Sequence, residues 1–244
     1  MSAGVVTRLW SAFIAGPPNP PSAGDLRTVR IVGLDLPLRA TVAIIAVTLL
    51  VLADFTRLVT PGDIQALGRS LGALRYQALT RIVLFLVIPL AIVVFGFRDR
   101  PREYGLRLGD WRWGLGLAIV GCLAMTPIVI ALGSRPDFRS FYGPSSGPLG
   151  DVVLTNALDL VPSEFVFRGF LMSTLLRAIG PLGLVVAQLP FAFAHIGKPE
   201  LELFSTIFGG AVYGWLDWRT RSIWWSSLAH VYILTLVIVV AGAG

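Results

Sequence analysis

The chain alternates between long apolar runs and short polar segments that hold most of its arginines. Seven runs approach the about 20 apolar residues that an α-helix needs to cross a bilayer. They are residues 37–54, 81–97, 113–132, 150–175, 182–195, 203–218 and 223–241. The pattern predicts an all-α, polytopic membrane bundle of about seven spans, in which the short fifth run is tilted or partly shielded by protein.

Composition agrees with lipid as the solvent. Of the 244 residues, 55% are hydrophobic and only 14% are charged, whereas soluble domains carry about a quarter charged residues. The formal net charge of +6 does not indicate a nucleic-acid partner, because the cations are spread over loops, as expected beside anionic headgroups. The single cysteine, Cys122, lies in an apolar run and excludes an intrachain disulfide.

The loop cations predict an orientation. With the N-terminus inside and seven spans, the inside segments hold twelve cations and the outside segments seven, which favours an N-terminus on the inside. The breaker-rich stretch GPPNPPSAG is not the apolar core of a signal peptide. The residues before it place Val6, Leu9, Trp10 and Phe13 on one face, which suits an interfacial helix about as well as a disordered start. Because all cations except Lys198 are arginine, we expect an integral protein of a bacterial plasma membrane.

Breaker-rich loops divide the chain into three predicted parts. Residues 1–32 form an N-terminal interfacial or linker segment, residues 33–147 a three-span half, and residues 148–244 a four-helix core. In the first loop of the three-span half, the stretch TPGDIQALGRSLGAL repeats apolar residues at helical spacing. It predicts an amphipathic surface helix that leads into the second span.

Ionisable residues within or next to the apolar runs are concentrated in the last four. An ionisable group inside a span costs about 3 kcal/mol or more, so it indicates a functional site by default. Both histidines of the chain lie in this part. The residues concerned are Asp159, Glu164, Arg168, His195, Glu200, Glu202 and His230.

Glu164 and Arg168 are spaced i, i+4, so both lie on one face of a helix. Arginine can hold a carboxylate with two parallel hydrogen bonds and keep it ionised. Taken alone, the pair is more typical of a structural salt bridge between helices. With His195 and His230 on two other runs, the same groups suit a divalent ion such as Zn²⁺, or a water that is deprotonated without metal.

At these residues the sequence resembles a known family. SEFVFRGFL, FAFAH and SSLAH resemble the successive motifs of the CPBP family, the type II CAAX prenyl proteases and bacteriocin-processing (Abi) intramembrane proteases. The resemblance covers about residues 148–241. It implies four core helices around a cavity and metal-dependent proteolysis of membrane-associated or lipidated peptides. It also implies that Glu164, Arg168, His195 and His230 are catalytic, with Glu164, His195 and His230 binding the metal.

Two positions depart from the family pattern. Ser163 replaces the first glutamate of the motif, to which the family's water-activating role is usually given, and Leu234 replaces an asparagine or aspartate. Ser163 could hold a water, and Asp159, one turn earlier, could replace the missing carboxylate. Glu202 could bend back towards the site. The simpler interpretations are a hydrogen bond from Asp159 to a neighbouring helix and a solvated Glu202 at a helix start.

The sequence therefore predicts an intramembrane metal-dependent endopeptidase that hydrolyses a membrane-associated or apolar peptide. Glu164 and His195 would activate the water, and His230 would bind the metal or stabilise the oxyanion. The departures leave an alternative: a catalytically inactive CPBP-like protein that binds a peptide, a lipid or a partner protein. A small transporter with a proton relay is a third interpretation.

Overall fold

The computed structural model describes residues 16–243. The predicted interfacial face of Val6, Leu9, Trp10 and Phe13 lies outside the described residues. The first regular element is an antiparallel hairpin of two strands, β1 (Thr28–Ile31) and β2 (Leu34–Pro37). Both residues of its two-residue turn have positive φ, as type I′ hairpins require. The hairpin was not predicted, because four-residue strands are too short to show an alternating pattern.

The remaining regular structure is helical. Two helices contain wide, π-helical turns: α3 through Ile82–Val87 and Ile92–Phe97, and α6 through Phe165–Met172. Short 3₁₀ turns lie at Pro101–Tyr104 and Gly143–Ser145. The helices are α1 (Leu38–Phe55), α2 (Gly62–Ala66), α3 (Leu71–Phe97), α4 (Trp111–Gly133), α5 (Pro136–Tyr142), α6 (149–179), α7 (Leu182–Val186), α8 (Gln188–Phe193), α9 (Glu200–Thr220) and α10 (Trp224–Gly242).

Four helices within residues 16–243 are long and apolar enough to cross a membrane by length and composition: α1, α3, α4 and α10. The fourth and sixth predicted runs form α6 and α9, which carry charged residues in their apolar sequence. The fifth run forms only the short pair α7 and α8, Leu182–Phe193. The described part of the protein is thus mainly helical with four candidate membrane spans, and the count of seven stays a prediction.

Loop contacts define two ends of the bundle. At one end, which we call the hairpin end, Arg39 of α1 donates to the carbonyl of Phe97, and Asp110 N–H donates to the carbonyl of Thr220. At the opposite end, Arg69 Nε donates to the carbonyl of Phe141 at 2.9 Å.

The predicted surface helix before the second span is wrong in its boundaries. Gly68 adopts φ +60° between α2 and α3 and separates them. The Ser70 hydroxyl then accepts a hydrogen bond from Ala73 N at 3.3 Å and caps α3. The second span therefore begins at Leu71 and not near residue 81, because a cap and a left-handed glycine interrupt the apolar period.

The centre of the bundle is α6, whose residues Phe165–Met172 are all buried. A helix that is apolar on all sides belongs inside a bundle. Phe167 packs edge to face on Phe85 of α3, with ring centroids 5.9 Å apart. A Cβ at Gly169 would lie 2.8 Å from the Tyr104 carbonyl oxygen, so only glycine allows this close approach. The two predicted halves thus pack directly on each other, and the domain division stays a prediction.

Candidate active site

The Glu164/Arg168 pair lies where α6 changes from an α-helix to a π-helical turn. Both side chains are buried, with 0% and 1% exposure. Arg168 Nη1 contacts Glu164 Oε1 at 3.3 Å. The predicted pair on one helical face is present, but the two-bond clamp is wrong. The guanidinium instead stacks 3.7 Å from the centre of the Phe191 ring and directs Nη2 to the Gly210 carbonyl at 3.5 Å.

His230 of α10 supplies the second partner of the carboxylate. Its Nδ1 lies 2.7 Å from Glu164 Oε1. Because an ionised carboxylate can only accept, Nδ1 carries the hydrogen of this bond and Nε2 keeps a free lone pair. A buried carboxylate that fixes an imidazole in this way is the arrangement of the hydrolytic triads. In this arrangement His230 Nε2 is the ring atom left available to accept a proton.

His195 follows directly after α8 and takes the same tautomer by a different contact. Its Nδ1 lies 2.8 Å from the Phe191 carbonyl oxygen, which can only accept, so Nε2 again keeps its lone pair. The Phe191 ring lies 4.5 Å from the His195 ring and 6.3 Å from the His230 ring, measured between centroids. Within residues 16–243, Glu164, Arg168 and His230 are in direct contact, and His195 stands across Phe191 without a hydrogen bond to Glu164.

Both histidines line one cavity of about 280 Å³ between α4, α9 and α10. Leu117, Met125 and Val237 contribute to a wall that is mostly apolar. The volume lies just below the about 300–1,000 Å³ of ligand pockets. The cavity suits the apolar side chains of a peptide.

The three predicted metal ligands do not meet. Among residues 16–243, no group of three or more His, Cys, Asp and Glu side chains is arranged to hold a metal ion. Glu164 Oε1 already binds the Nδ1–H of His230, and that nitrogen cannot coordinate a metal while it carries the hydrogen. Nε2 stays free on both histidines while Nδ1 is held by Glu164 or by the Phe191 carbonyl, which is how metal-ligating histidines are usually oriented. These two nitrogens could hold a divalent ion, with Glu164 supporting His230 instead of binding the metal, and the expectation of Zn²⁺ stays a prediction.

Two of the supporting candidates have other contacts. The Ser163 hydroxyl donates to the Asp159 carbonyl of its own helix at 2.8 Å. The Asp159 carboxylate forms a salt bridge with Arg81 of α3 at 2.8 Å, and Arg81 also binds Asp54 of α1 at 2.7 Å. Asp159 therefore forms the bond to a neighbouring helix that the simpler interpretation describes, and through Arg81 it connects α6 with α3 and α1.

Glu202 lies in the wall of the apolar cavity but outside the cluster of Glu164. It accepts hydrogen bonds from the Tyr142 hydroxyl at 2.5 Å and from Lys198 Nζ at 2.7 Å. Burial and the neighbouring Glu202 raise the pKa of Tyr142 well above its usual value, so the phenol stays a donor. Neither the solvated Glu202 nor the residue bent back towards Glu164 describes this arrangement.

The sequence analysis missed Asp217 of α9. Asp217 is 4% exposed, and its Oδ2 accepts a hydrogen bond from Ser226 Oγ at 2.8 Å. Ser226 is fully buried and lies beside Glu164. The signal was present, since Asp217 is an acid inside the predicted run 203–218. The rule that singled out Glu164 applies equally to it.

Comparison with known proteins supports the family resemblance. Residues 145–236, which contain Glu164, His195 and His230, match the family model described as Type II CAAX prenyl endopeptidase Rce1-like. No curated protein and no solved structure matched in the corresponding comparisons. The match agrees with the motif order and does not favour the inactive alternative. Over residues 145–236, the chain is similar to the CPBP family of CAAX-type intramembrane proteases.

Proposed function

We propose that this protein is an intramembrane endopeptidase that hydrolyses a membrane-associated or apolar peptide. The observation that carries the proposal is the buried 2.7 Å contact between His230 Nδ1 and Glu164 Oε1. It leaves an oriented imidazole in the wall of an apolar cavity. The family match, which is to proteases, supports the same reaction class.

In the proposed reaction, a water lies against His230 Nε2 and attacks the peptide carbonyl carbon. The proton of the water passes to Nε2 and then to the leaving amine, so the C–N bond breaks and an acid and an amine result. Glu164 stabilises the imidazolium that forms, as the carboxylate of a triad does. Positioned general bases contribute about 10²–10⁴-fold to such rates. His195 Nε2 accepts a hydrogen bond from the same water.

Arg168 has a supporting electrostatic role in this scheme. Its charge keeps Glu164 ionised inside the bundle, so that the carboxylate attracts the proton held on His230. The Phe191 ring beneath the guanidinium fixes its orientation. Glu164 thus acts on the water through His230, and the site needs no second carboxylate at the position of Ser163.

The proposed topology has seven passes through a bacterial plasma membrane with the hairpin end inside. The hairpin end carries more arginines than the opposite end, as the positive-inside rule requires. The short segment of α7 and α8 would cross by packing between α6 and α9. A substrate held in the bilayer would reach the apolar cavity from the side of α4 and α9.

The test uses the full-length protein in liposomes and internally quenched apolar peptides, with and without a C-terminal prenylated cysteine motif. Glu164→Gln and His230→Gln should each lower kcat by about 10²-fold or more. Glu200→Gln, an exposed acid on α9, is the matched control and should keep the wild-type rate.

Mass spectrometry of the products must show a cut at one peptide bond. Cleavage that persists within twofold in both Glu164→Gln and His230→Gln would reject this site. Metal analysis of the same preparation tests the predicted divalent ion. Stoichiometric Zn²⁺ whose removal abolishes cleavage would mean that the ion, held by the free Nε2 atoms of His195 and His230, activates the water in place of the His230 base.

A further inference from the structure

The cluster of Glu164 stands between two cavities of opposite character. One is the apolar cavity lined by His195 and His230. The other, of about 540 Å³, opens at the hairpin end and is lined by Arg168 and Asp217. We call it the polar cavity. Its further lining includes Arg107, Glu103, Arg177 and Arg221, so charged side chains of both signs surround it.

Two buried carboxylate oxygens mark the boundary between the polar cavity and the cluster. Asp217 Oδ1 and Glu164 Oε2 have no hydrogen-bond partner within the described part of the chain. Leaving a buried polar oxygen unpaired costs about 1–3 kcal/mol. Such atoms are normally satisfied by ordered water. Asp217 itself lines the polar cavity, so its carboxylate lies at the wall of that cavity.

A path of neighbouring polar side chains continues from Asp217 to the proposed base. Ser226 Oγ donates to Asp217 Oδ2 at 2.8 Å and lies beside Glu164. Glu164 in turn binds His230 at 2.7 Å. The path joins α9, α10 and α6, and each of its members is at least half-buried.

Peptide hydrolysis consumes one water for each bond that is cut. The wall of the apolar cavity is mostly aliphatic and aromatic, so it offers water fewer partners than the charged lining of the polar cavity does. We propose that the polar cavity is a separate aqueous port that supplies water to the Glu164–His230 pair. Asp217 and Ser226 are the positioning residues of this port, and the peptide enters through the apolar cavity. The role in hydrolysis rests on the proposed function.

The segment 16–20 covers the polar cavity. Trp218 Nε1 donates to the carbonyl of Pro17 at 3.1 Å, and Arg221 Nη2 donates to the carbonyl of Pro18 at 3.3 Å. Pro17, Pro18 and Pro20 belong to the cavity lining. The polar cavity is therefore covered by residues 16–20, which precede the first strand, and not by a spanning helix.

A labelling experiment tests the port without any substrate. Ser173 lines the polar cavity and is half-buried, so Ser173→Cys in a Cys122→Ala background places one thiol there. The probe is a charged, membrane-impermeant methanethiosulfonate reagent, added to membrane vesicles of either orientation. The control is the wild-type protein, whose single thiol, Cys122, lies in the spanning helix α4.

The Ser173→Cys thiol should react at least tenfold faster than Cys122, and only from the side of the hairpin end. Equal rates, or reaction of the Ser173→Cys thiol only after unfolding in detergent, would overturn the port.

Turnover separates the port from the substrate cavity. Asp217→Asn and Ser226→Ala should lower kcat about tenfold with KM unchanged, and bulky modification of the Ser173→Cys thiol should do the same. The matched control is Thr206→Cys, whose position lines the apolar cavity; its modification should raise KM. A loss of kcat/KM that lies entirely in KM for Asp217→Asn would overturn the positioning role.

The two proposals fail separately. If no peptide is cut but the Ser173→Cys thiol is labelled as expected, the port stands and the protease function falls. If peptides are cut and labelling is absent, the function stands and the port falls.

Discussion

Arg168→Met removes the positive charge beside Glu164 and nearly keeps the volume of the side chain. In the native bundle the guanidinium contacts Glu164 Oε1 at 3.3 Å, the Phe191 ring at 3.7 Å and the Gly210 carbonyl at 3.5 Å. Glu164 itself is fully buried. The variant therefore leaves an acid in the bundle centre with His230 as its remaining charge partner.

Breaking a buried ion pair on one side destabilises a protein by about 3–5 kcal/mol, because the other charge stays buried without its partner. Loss of the cation–π contact adds about 1–2 kcal/mol in a desolvated site. At roughly 2–4 °C per kcal/mol for a chain of this size, Tm should fall by about 8 °C or more. Thermal unfolding of the detergent-solubilised protein measures this shift.

The double variant Glu164→Gln/Arg168→Met removes both charges and should recover about half of the lost stability or more, because a neutral pair costs less to bury. Arg139→Ala, at an exposed position of α5, is the control and should change Tm by less than about 2 °C. A Tm for Arg168→Met within 2 °C of the wild type, or no recovery in the double variant, would refute the electrostatic account of this turn.

Three further results are expected. Arg81→Met should lower Tm by several degrees without changing KM, since Arg81 joins three helices outside the cluster of Glu164; an unchanged Tm would contradict this. Burial opposes ionisation of Asp25, but hydrogen bonds from a neighbouring serine and the charge of Arg177 outweigh it and lower its pKa. The stability that the ionised carboxylate contributes is present above the usual aspartate pKa and is lost as pH falls through the lowered pKa of Asp25. In Asp25→Asn, Tm should therefore fall less with decreasing pH below about pH 4 than it does in the wild type. A decrease of Tm as steep as in the wild type would argue against this linkage. Tyr142→Phe should cost about 1–3 kcal/mol in thermal unfolding by removing the 2.5 Å bond to Glu202, and a neutral substitution would show that Lys198 alone satisfies that carboxylate.

The sequence by itself indicated that lipid surrounds the helices and showed which polar side chains lie on the same helical face. The apolar runs indicated a helical membrane protein because a bilayer demands long apolar helices. The spacing of Glu164 and Arg168 fixed their common face, since i, i+4 neighbours on a helix always lie together. The motifs around Glu164, His195 and His230 indicated the family whose model matches residues 145–236.

Only the tertiary structure decided which of these polar groups touch. Glu164 and His230 are 66 positions apart and meet at 2.7 Å, whereas His195 turns its Nδ1 to the Phe191 carbonyl of the preceding helix α8. Asp159 is also an acid of α6, but it pairs with Arg81 of α3. Periodicity gives the face of one helix, but the neighbour on that face depends on how all the helices pack. In a low-dielectric interior, each buried charge must find its partner among the groups that this packing brings within reach.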